Sequence, residues 1–234
     1  MRVIAGEARG RQLAGPPSLR TRPTTDMVKG ALFSMIETLL VLERPGDPTC
    51  GATVDLGDPG VWAGLNVLDL YAGTGALGIE ALSRGAAWCD FVETDARVRG
   101  VIDRNVKATG VENRSRTFGL DVAKVVGTSG ANGLRAPYGV VFMDPPYADS
   151  TFAQVLDALA TGQLLDTGSL VALEHSRRVA VATRIPGARD ERRANELIEV
   201  RRRRHGNTEI SIYRWQDATK LGEGDDGNHR DLSG

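Results

Sequence analysis

From residue 66 onward the sequence predicts a doubly wound α/β sheet, and three features predict it. Short apolar runs alternate with helix-length stretches. The first of these runs passes through a glycine-rich turn directly into a helix. The residues able to do chemistry fall at the carboxyl ends of the runs, where open α/β sheets bind their ligands.

In chain order, the first thirty residues are basic, punctuated by Gly and Pro, and without a clear period. Val28, Ala31, Leu32, Met35, Ile36, Leu39 and Leu40 then recur every three or four residues, the pattern of an amphipathic helix. Pro23 precedes it, and Thr24, Thr25 or Asp26 can cap it. Residues 44–64 hold three prolines and five glycines and read as a long loop. Strands are expected at 66–71, 90–94, 116–120, 139–143, 168–174 and 209–215, with helices at 76–84, 95–109 and 151–160. Parallel strands need such crossovers. The last strand mixes Ile210, Ile212 and Tyr213 with polar residues, which suits an edge or antiparallel strand. The Gly- and Asp-rich tail after Asp217 is expected to be disordered. The expected layout is a basic N-terminal extension with its helix at 1–43, the loop at 44–64, one α/β domain at 65–216, and the tail at 217–234.

Composition narrows the class. With 234 residues, 41% hydrophobic and 25% charged, the chain is neither fibrous nor wholly disordered. No apolar run reaches the ~18–20 residues of a membrane span, and MRVIAGEARGRQL lacks the apolar core of a secretory signal. Cys50 and Cys89 are far apart, and His175, His205 and His229 are scattered, so no metal is expected and a cytoplasmic location is. The net charge of −1 conceals two basic ends. Residues 1–30 carry 6 basic and 2 acidic groups, and residues 177–216 carry 11 and 5. Acidic segments elsewhere cancel them.

The glycine-rich turn lies in VLDLYAGTGALGIEAL, where Gly73, Gly75 and Gly78 fit G-x-G-x-x-G. Glycines let the chain turn tightly and let a ligand approach without a Cβ in the way. Glu93, at the end of the next apolar run, can accept hydrogen bonds from two ribose hydroxyls. Strand, turn, helix and acid together predict a nucleoside ligand. Asp69, four residues before Gly73, would repel a pyrophosphate but attract a cation. The pattern therefore favours S-adenosylmethionine over a nicotinamide dinucleotide. Asp121, after the third strand, can meet an adenine amino group, cap the helix that follows, or do both. The donor pocket is expected to comprise Asp69, Tyr71, Ala72, Gly73, Thr74, Gly75, Glu93, Thr94, Asp121 and Val122.

The strand at 139–143 ends in Asp144, Pro145, Pro146 and Tyr147. Two prolines stiffen the turn and remove two backbone donors, leaving carbonyls to face a substrate. Asp144 and the Pro145 carbonyl can both accept from one exocyclic amine, and Tyr147 offers a face on which a base can stack. Such acceptors orient an aryl amine and favour a pyramidal nitrogen, and alignment with a methyl donor supplies much of the rest. These four residues are the expected catalytic set.

Five stretches carry a resemblance that spans residues 2–215 apart from the loop: RVIAGEARGRQL, RPTTDMVKGALFSMI, VLDLYAGTGALGIEALSRGA, FMDPPY and RRRRHGNTEISIY. The chain resembles the class I S-adenosylmethionine-dependent methyltransferases, and within them the RsmD family of bacterial 16S rRNA guanine-N2 methyltransferases. The resemblance implies a Rossmann-like sheet of seven strands with an antiparallel last strand. It also implies S-adenosylmethionine as cofactor, and transfer to the exocyclic N2 of one guanine of 16S rRNA (the guanine-966-type site). The partner would be 16S rRNA within the small ribosomal subunit or its assembly intermediate, met by a monomer. The loop at 44–64 and the acidic tail depart from the family pattern. Beside a base pocket, the basic ends are expected to meet phosphates. All six basic residues of the N-terminus are candidates, with Arg2, Arg9, Arg11 and Arg22 foremost. Arg201, Arg202, Arg203 and Arg204 form the densest run. Thr24 and Thr25 can close over the donor or simply cap the helix. The competing expectations are an adenine-N6 methyltransferase, a nicotinamide-dependent oxidoreductase on the same loop, and a non-catalytic RNA-binding protein.

Overall fold

The computed structural model describes residues 1–15, 26–42, 59–127, 133–146, 151–188 and 195–218. Most of the loop at 44–64, the tail from 219, Arg22, Thr24, Thr25 and Tyr147 lie outside the described residues.

Eight strands form one sheet: β1 (Asn66–Leu70), β2 (Trp88–Val92), β3 (Ser115–Phe118), β4 (Tyr138–Met143), β5 (Leu165–Ser176), β6 (Arg184–Pro186), β7 (Asn195–His205) and β8 (Thr208–Asp217), in the order β3-β2-β1-β4-β5-β8-β7-β6. The five strands from β3 to β5 are parallel. β8, β7 and β6 extend the sheet antiparallel. The order reverses between β1 and β4, which makes that crevice the switch point where such sheets bind ligands.

Helices cover both faces. On one lie α1 (Asp26–Val41), α2 (Ala76–Ser83) and α3 (Ala96–Thr109), joined in one apolar cluster through Phe33, Ile36, Ile79, Leu82, Ile102 and Phe142. On the other lie α4 (Val122–Val126) and α5 (Phe152–Thr161), packed through Val125, Leu156 and Leu159 on Leu68, Val141 and Tyr213. α1 buries Leu32, Met35, Ile36 and Leu39 of the expected stripe and Phe33 besides, while Val28, Ala31 and Leu40 are half-buried. Phe33 touches Phe142 near the end of β4, while Leu40 lines one hollow with Gly139 near its start. The amino end of α1 therefore points toward the carboxyl ends of the strands.

The fold class is the expected one, with two differences in its outer strands. The sheet has eight strands rather than seven, because β6 contributes three residues, too few to show a period. β7 reads in the sequence as a charge run, since only Leu197 and Ile198 within it are buried and Arg201 to Arg204 are all exposed. Its partners β6 and β8, more than any apolar pattern of its own, make it a strand.

The N-terminal segment is basic, as expected, but it is not a loose appendage. An isolated bridge pairs Arg2 with Gln12, and Val3 N donates to Arg11 O at 3.0 Å while Leu13 N donates to Met1 O at 3.0 Å. Val3, Ala8 and Leu13 are buried in the same cluster as α1 and α2. Gly6 has φ +81°, and a Cβ there would lie 1.7 Å from Ser83 O, so only glycine lets this arm lie flat on the end of α2. No described helix is long and apolar enough to cross a membrane.

Candidate active site

Leu70 and Met143, the last residues of β1 and β4, are in register. Residues 71–75 and Asp144 therefore leave adjacent strands side by side, about 4.8 Å apart in the pairing direction. The two motifs converge at the switch point although some seventy residues of sequence separate them.

The turn after β1 is built from left-handed residues: Tyr71 at φ +64°, Gly73 at +54° and Gly75 at +79°. For tyrosine this conformation costs roughly 1–2 kcal/mol, and such strain clusters at functional sites. Ala72 N donates to Val92 O at 2.9 Å and Gly75 N to Ala72 O at 2.7 Å, fixing the loop against β2. Gly78 serves packing: a Cβ there would lie 2.3 Å from Phe91 Cε1 and 2.5 Å from Cys89 Sγ, so α2 lies tight on β2. Thr74 is buried beneath the loop.

Glu93 follows β2 and is half-buried. Its Oε2 accepts from Gly73 N at 3.0 Å and its Oε1 from Asp95 N at 2.9 Å, so the carboxylate borders the loop. Thr94 beside it is exposed. Asp121 caps α4, accepting from Ala123 N at 2.9 Å through Oδ1, while Val122 is buried. Asp121, Glu93, the glycine loop and Asp144 thus follow four neighbouring strands, a span of about 14 Å across three strand spacings. Asp144 is half-buried, Pro145 buried and Pro146 exposed.

One residue departs from its expected place. Asp69 is 2% exposed and lies behind the loop, where Oδ2 accepts from Gly78 N at 2.9 Å. It braces the start of α2 rather than lining the front of the pocket. Burial pushes its pKa from the ordinary 3.8 up to about 7; the Gly78 bond opposes this, and the nearby Asp144 and Glu93 charges add to it. The folded chain therefore holds a proton that the unfolded chain has released between those two pH values. This contribution to stability is fully present below pH 4 and is lost as pH rises through 7. Asp69→Asn keeps an acceptor for Gly78 and cannot ionise. Its melting temperature is expected to fall less than the wild type's between pH 5 and pH 8; parallel pH profiles would refute the shift.

The basic residues divide. Arg2 is exposed and pairs with Asp26 at 3.2 Å, Arg9 is exposed, and Arg11 donates to Ala108 O at 3.1 Å. Lys29 is the correction: it is fully buried, with Nζ 3.0 Å from Glu80 Oε2, and cannot meet a phosphate. On β7, Arg202 pairs with Glu199 at 2.7 Å, and Arg204 donates to Gly206 O at 3.2 Å. Thr208 pairs with both Ser176 and His205, which puts the β7–β8 turn at the carboxyl end of β5, the same end as Asp144. Through the register Met143–Leu173–Ser211–Arg202, Arg203 and Arg204 stand at or beyond the level where β4 stops.

Sequence reasoning missed the buried polar residues that hold this region, namely Lys29, Glu37, Glu80, Arg84 and Asn105. Charged residues on helices read as solvated faces, and nothing in the spacing marks these otherwise. Asn105 alone left a trace, as a polar residue inside the stripe of Val101, Ile102, Val106 and Thr109.

A family model described as Conserved hypothetical protein 95 matches residues 1–214. A Bacillus subtilis (strain 168) protein, YlbH, whose name provisionally makes it an rRNA methyltransferase, is 30% identical over 216 residues, 92% of this chain and 98% of its own. Ribosomal RNA small subunit methyltransferase D of Escherichia coli (strain K12) is 30% identical over 174 residues, 74% of each chain. A solved Escherichia coli structure, provisionally titled as the methyltransferase yhhF, superposes with a TM-score of 0.66 at 25% identity, covering 93% of this chain and 98% of its own.

Proposed function

We propose, from the premise that the chain belongs to the Conserved hypothetical protein 95 (RsmD) family, that it methylates the exocyclic N2 of one guanine in 16S rRNA. Its donor in this reading is S-adenosylmethionine. The observation that carries it is the register of Leu70 with Met143, which sets the glycine loop beside Asp144. The names of the relatives supply the RNA.

The residues present suit the donor. Gly73 and Gly75 leave two of the loop's three left-handed positions without Cβ atoms, and the half-buried Glu93 carboxylate is an acceptor for a ribose diol. Asp121 Oδ1 is engaged in its cap, and the carboxylate has a second oxygen for an amino group. When bound, S-adenosylmethionine supplies a methyl group on a positively charged sulfur. Asp144 and the Pro145 carbonyl accept from the guanine amine and orient its lone pair toward the loop. After transfer the amine's proton leaves to Asp144 or to water. The exposed Arg201, Arg203 and Arg204 then meet phosphates at the same end of the sheet, in the cytoplasm, on a small subunit or its precursor.

Nucleoside mass spectrometry of 16S rRNA from a deletion strain tests this. Loss of N2-methylguanine at one site is expected; an unaltered methyl profile overturns the proposal, and loss of N6-methyladenine would transfer it to the adenine reading. Replacing residues 201–204 by alanine is expected to weaken RNA binding. It should also flatten the dependence of log affinity on log salt by about 0.7 for each phosphate of single-stranded RNA that is no longer neutralised. An unchanged slope would make the run plain solvated surface.

A further inference from the structure

Glu93 and Asp144 have roles in the proposed reaction; Asn105 has none, yet the donor loop and the N-terminal arm meet on it. Asn105 lies on α3 and is 2% exposed. Its Oδ1 accepts from Ala14 N at 2.8 Å, and its Nδ2 donates to Ala14 O at 3.2 Å and to Thr74 O at 2.9 Å. One carboxamide thus grips both polar groups of Ala14 and ends on the residue between Gly73 and Gly75.

The rest of the arm is held differently. Glu80 accepts from Ile4 N and Ala5 N, and Ser83 exchanges bonds with Ala8 N and Ala5 O. Those contacts end on the body of α2 and do not reach the loop. On its other side the loop is held by Glu93, through Gly73 N. A diol that binds the Glu93 carboxylate shares its oxygens with Gly73 N and Asp95 N, so donor binding is felt at that edge of the loop. Ala72 N holds the start of the loop to Val92 O, and Thr74 O is the anchor between the two glycines at positive φ, so an adjustment there passes to Asn105. A buried amide whose partners are all engaged cannot shift away from one of them without leaving a polar group unpaired.

We infer that Asn105 is a positioning residue that links the donor loop to the arm, so that donor binding and order in residues 1–15 rise together. The inference rests on the donor reading above. By reciprocity, whatever steadies the arm, RNA included, tightens donor binding by the same factor.

Hydrogen exchange of the full chain with and without S-adenosylhomocysteine tests it, with calorimetry confirming that the probe binds. In the wild type, binding is expected to slow exchange at Val3, Gly10 and Leu13, three of the amides bonded within the arm, by about tenfold. Asn105→Asp still accepts from Ala14 N but cannot donate to Thr74 O. Ala14→Pro, at an exposed position, removes the arm's donor and leaves Thr74 bonded. Both variants are expected to bind the probe while the slowing drops below about twofold. A merely structural anchor would speed exchange equally with and without the probe, leaving that ratio at its wild-type value. Should Asn105→Asp not fold, Ala14→Pro decides alone. Binding without arm protection in the wild type, or undiminished protection in the foldable variants, overturns the inference and spares the donor reading. Absence of binding to the wild type overturns both.

Discussion

Asp144→Ala is expected to lower the single-turnover rate of methyl transfer by on the order of 10²–10³-fold, the cost of deleting one preorganised group that acts on charge at the reacting centre. Donor affinity should stay within about twofold, because Glu93 and the glycine loop, not Asp144, are the groups suited to hold the donor. The position supports this separation. Asp144 follows Met143, which is in register with Leu70, so it stands beside the loop without belonging to it. Pro145 and Pro146 after it have no N–H, so the turn presents acceptors. Asp144→Asn keeps one acceptor oxygen and loses the charge, and should fall between wild type and alanine. Since the Asp144 charge also raises the Asp69 pKa, both variants should let Asp69 ionise at lower pH. A near-wild-type rate for Asp144→Ala, with donor affinity intact, would remove Asp144 from the chemistry.

The glycine loop and the acids beside it were legible because each carries a local signature. A glycine held at φ +79°, or an acid one residue past an apolar run, is dictated by a few neighbouring residues. β7 was not legible, because a strand supported by pairing on both edges needs no apolar alternation, and four successive arginines erase what alternation there is. The attachment of the arm was not legible for a related reason. Its polar backbone is satisfied by side chains from distant helices: Glu80 lies 76 residues from Ile4, and Asn105 lies 91 from Ala14. Lys29 shows the same limit in a single residue. On a helix its charge implies solvent, and only the fold reveals a carboxylate waiting inside. Asp69 was expected beside a cationic ligand, and its reach to Gly78 instead depends on how closely α2 packs on β2.

Glu80→Ala is expected to be the most destabilising of these substitutions. Glu80 is fully buried and accepts four bonds: from Ile4 N at 2.8 Å, Ala5 N at 3.0 Å, Lys29 Nζ at 3.0 Å and Arg84 Nε at 2.9 Å. Truncation would deprive two backbone amides of their acceptor, take the paired carboxylate from Lys29, and remove one of the two carboxylates beside Arg84. Removing one partner of a buried ion pair typically costs about 3–5 kcal/mol, and in a chain of this size each kcal/mol lowers the melting temperature by roughly 2–4 °C. A drop of about 10 °C or more follows. Partial rescue separates charge from packing. In Glu80→Met/Lys29→Met an apolar pair replaces the ion pair, and such exchanges are often neutral or better. The double variant should therefore regain part of the loss. It cannot regain all of it, because Ile4 N and Ala5 N still lack their acceptor. Arg84 retains Glu37 at 2.8 Å and the face of Phe33 at 4.7 Å, which limits the damage on that side. Limited proteolysis should accordingly cut the double variant within residues 1–15 sooner than the wild type, while α2 and the sheet stay protected. If Glu80→Ala melts within about 2 °C of the wild type, the four bonds are replaceable and the arm is held by its apolar contacts at Val3, Ala8 and Leu13 instead.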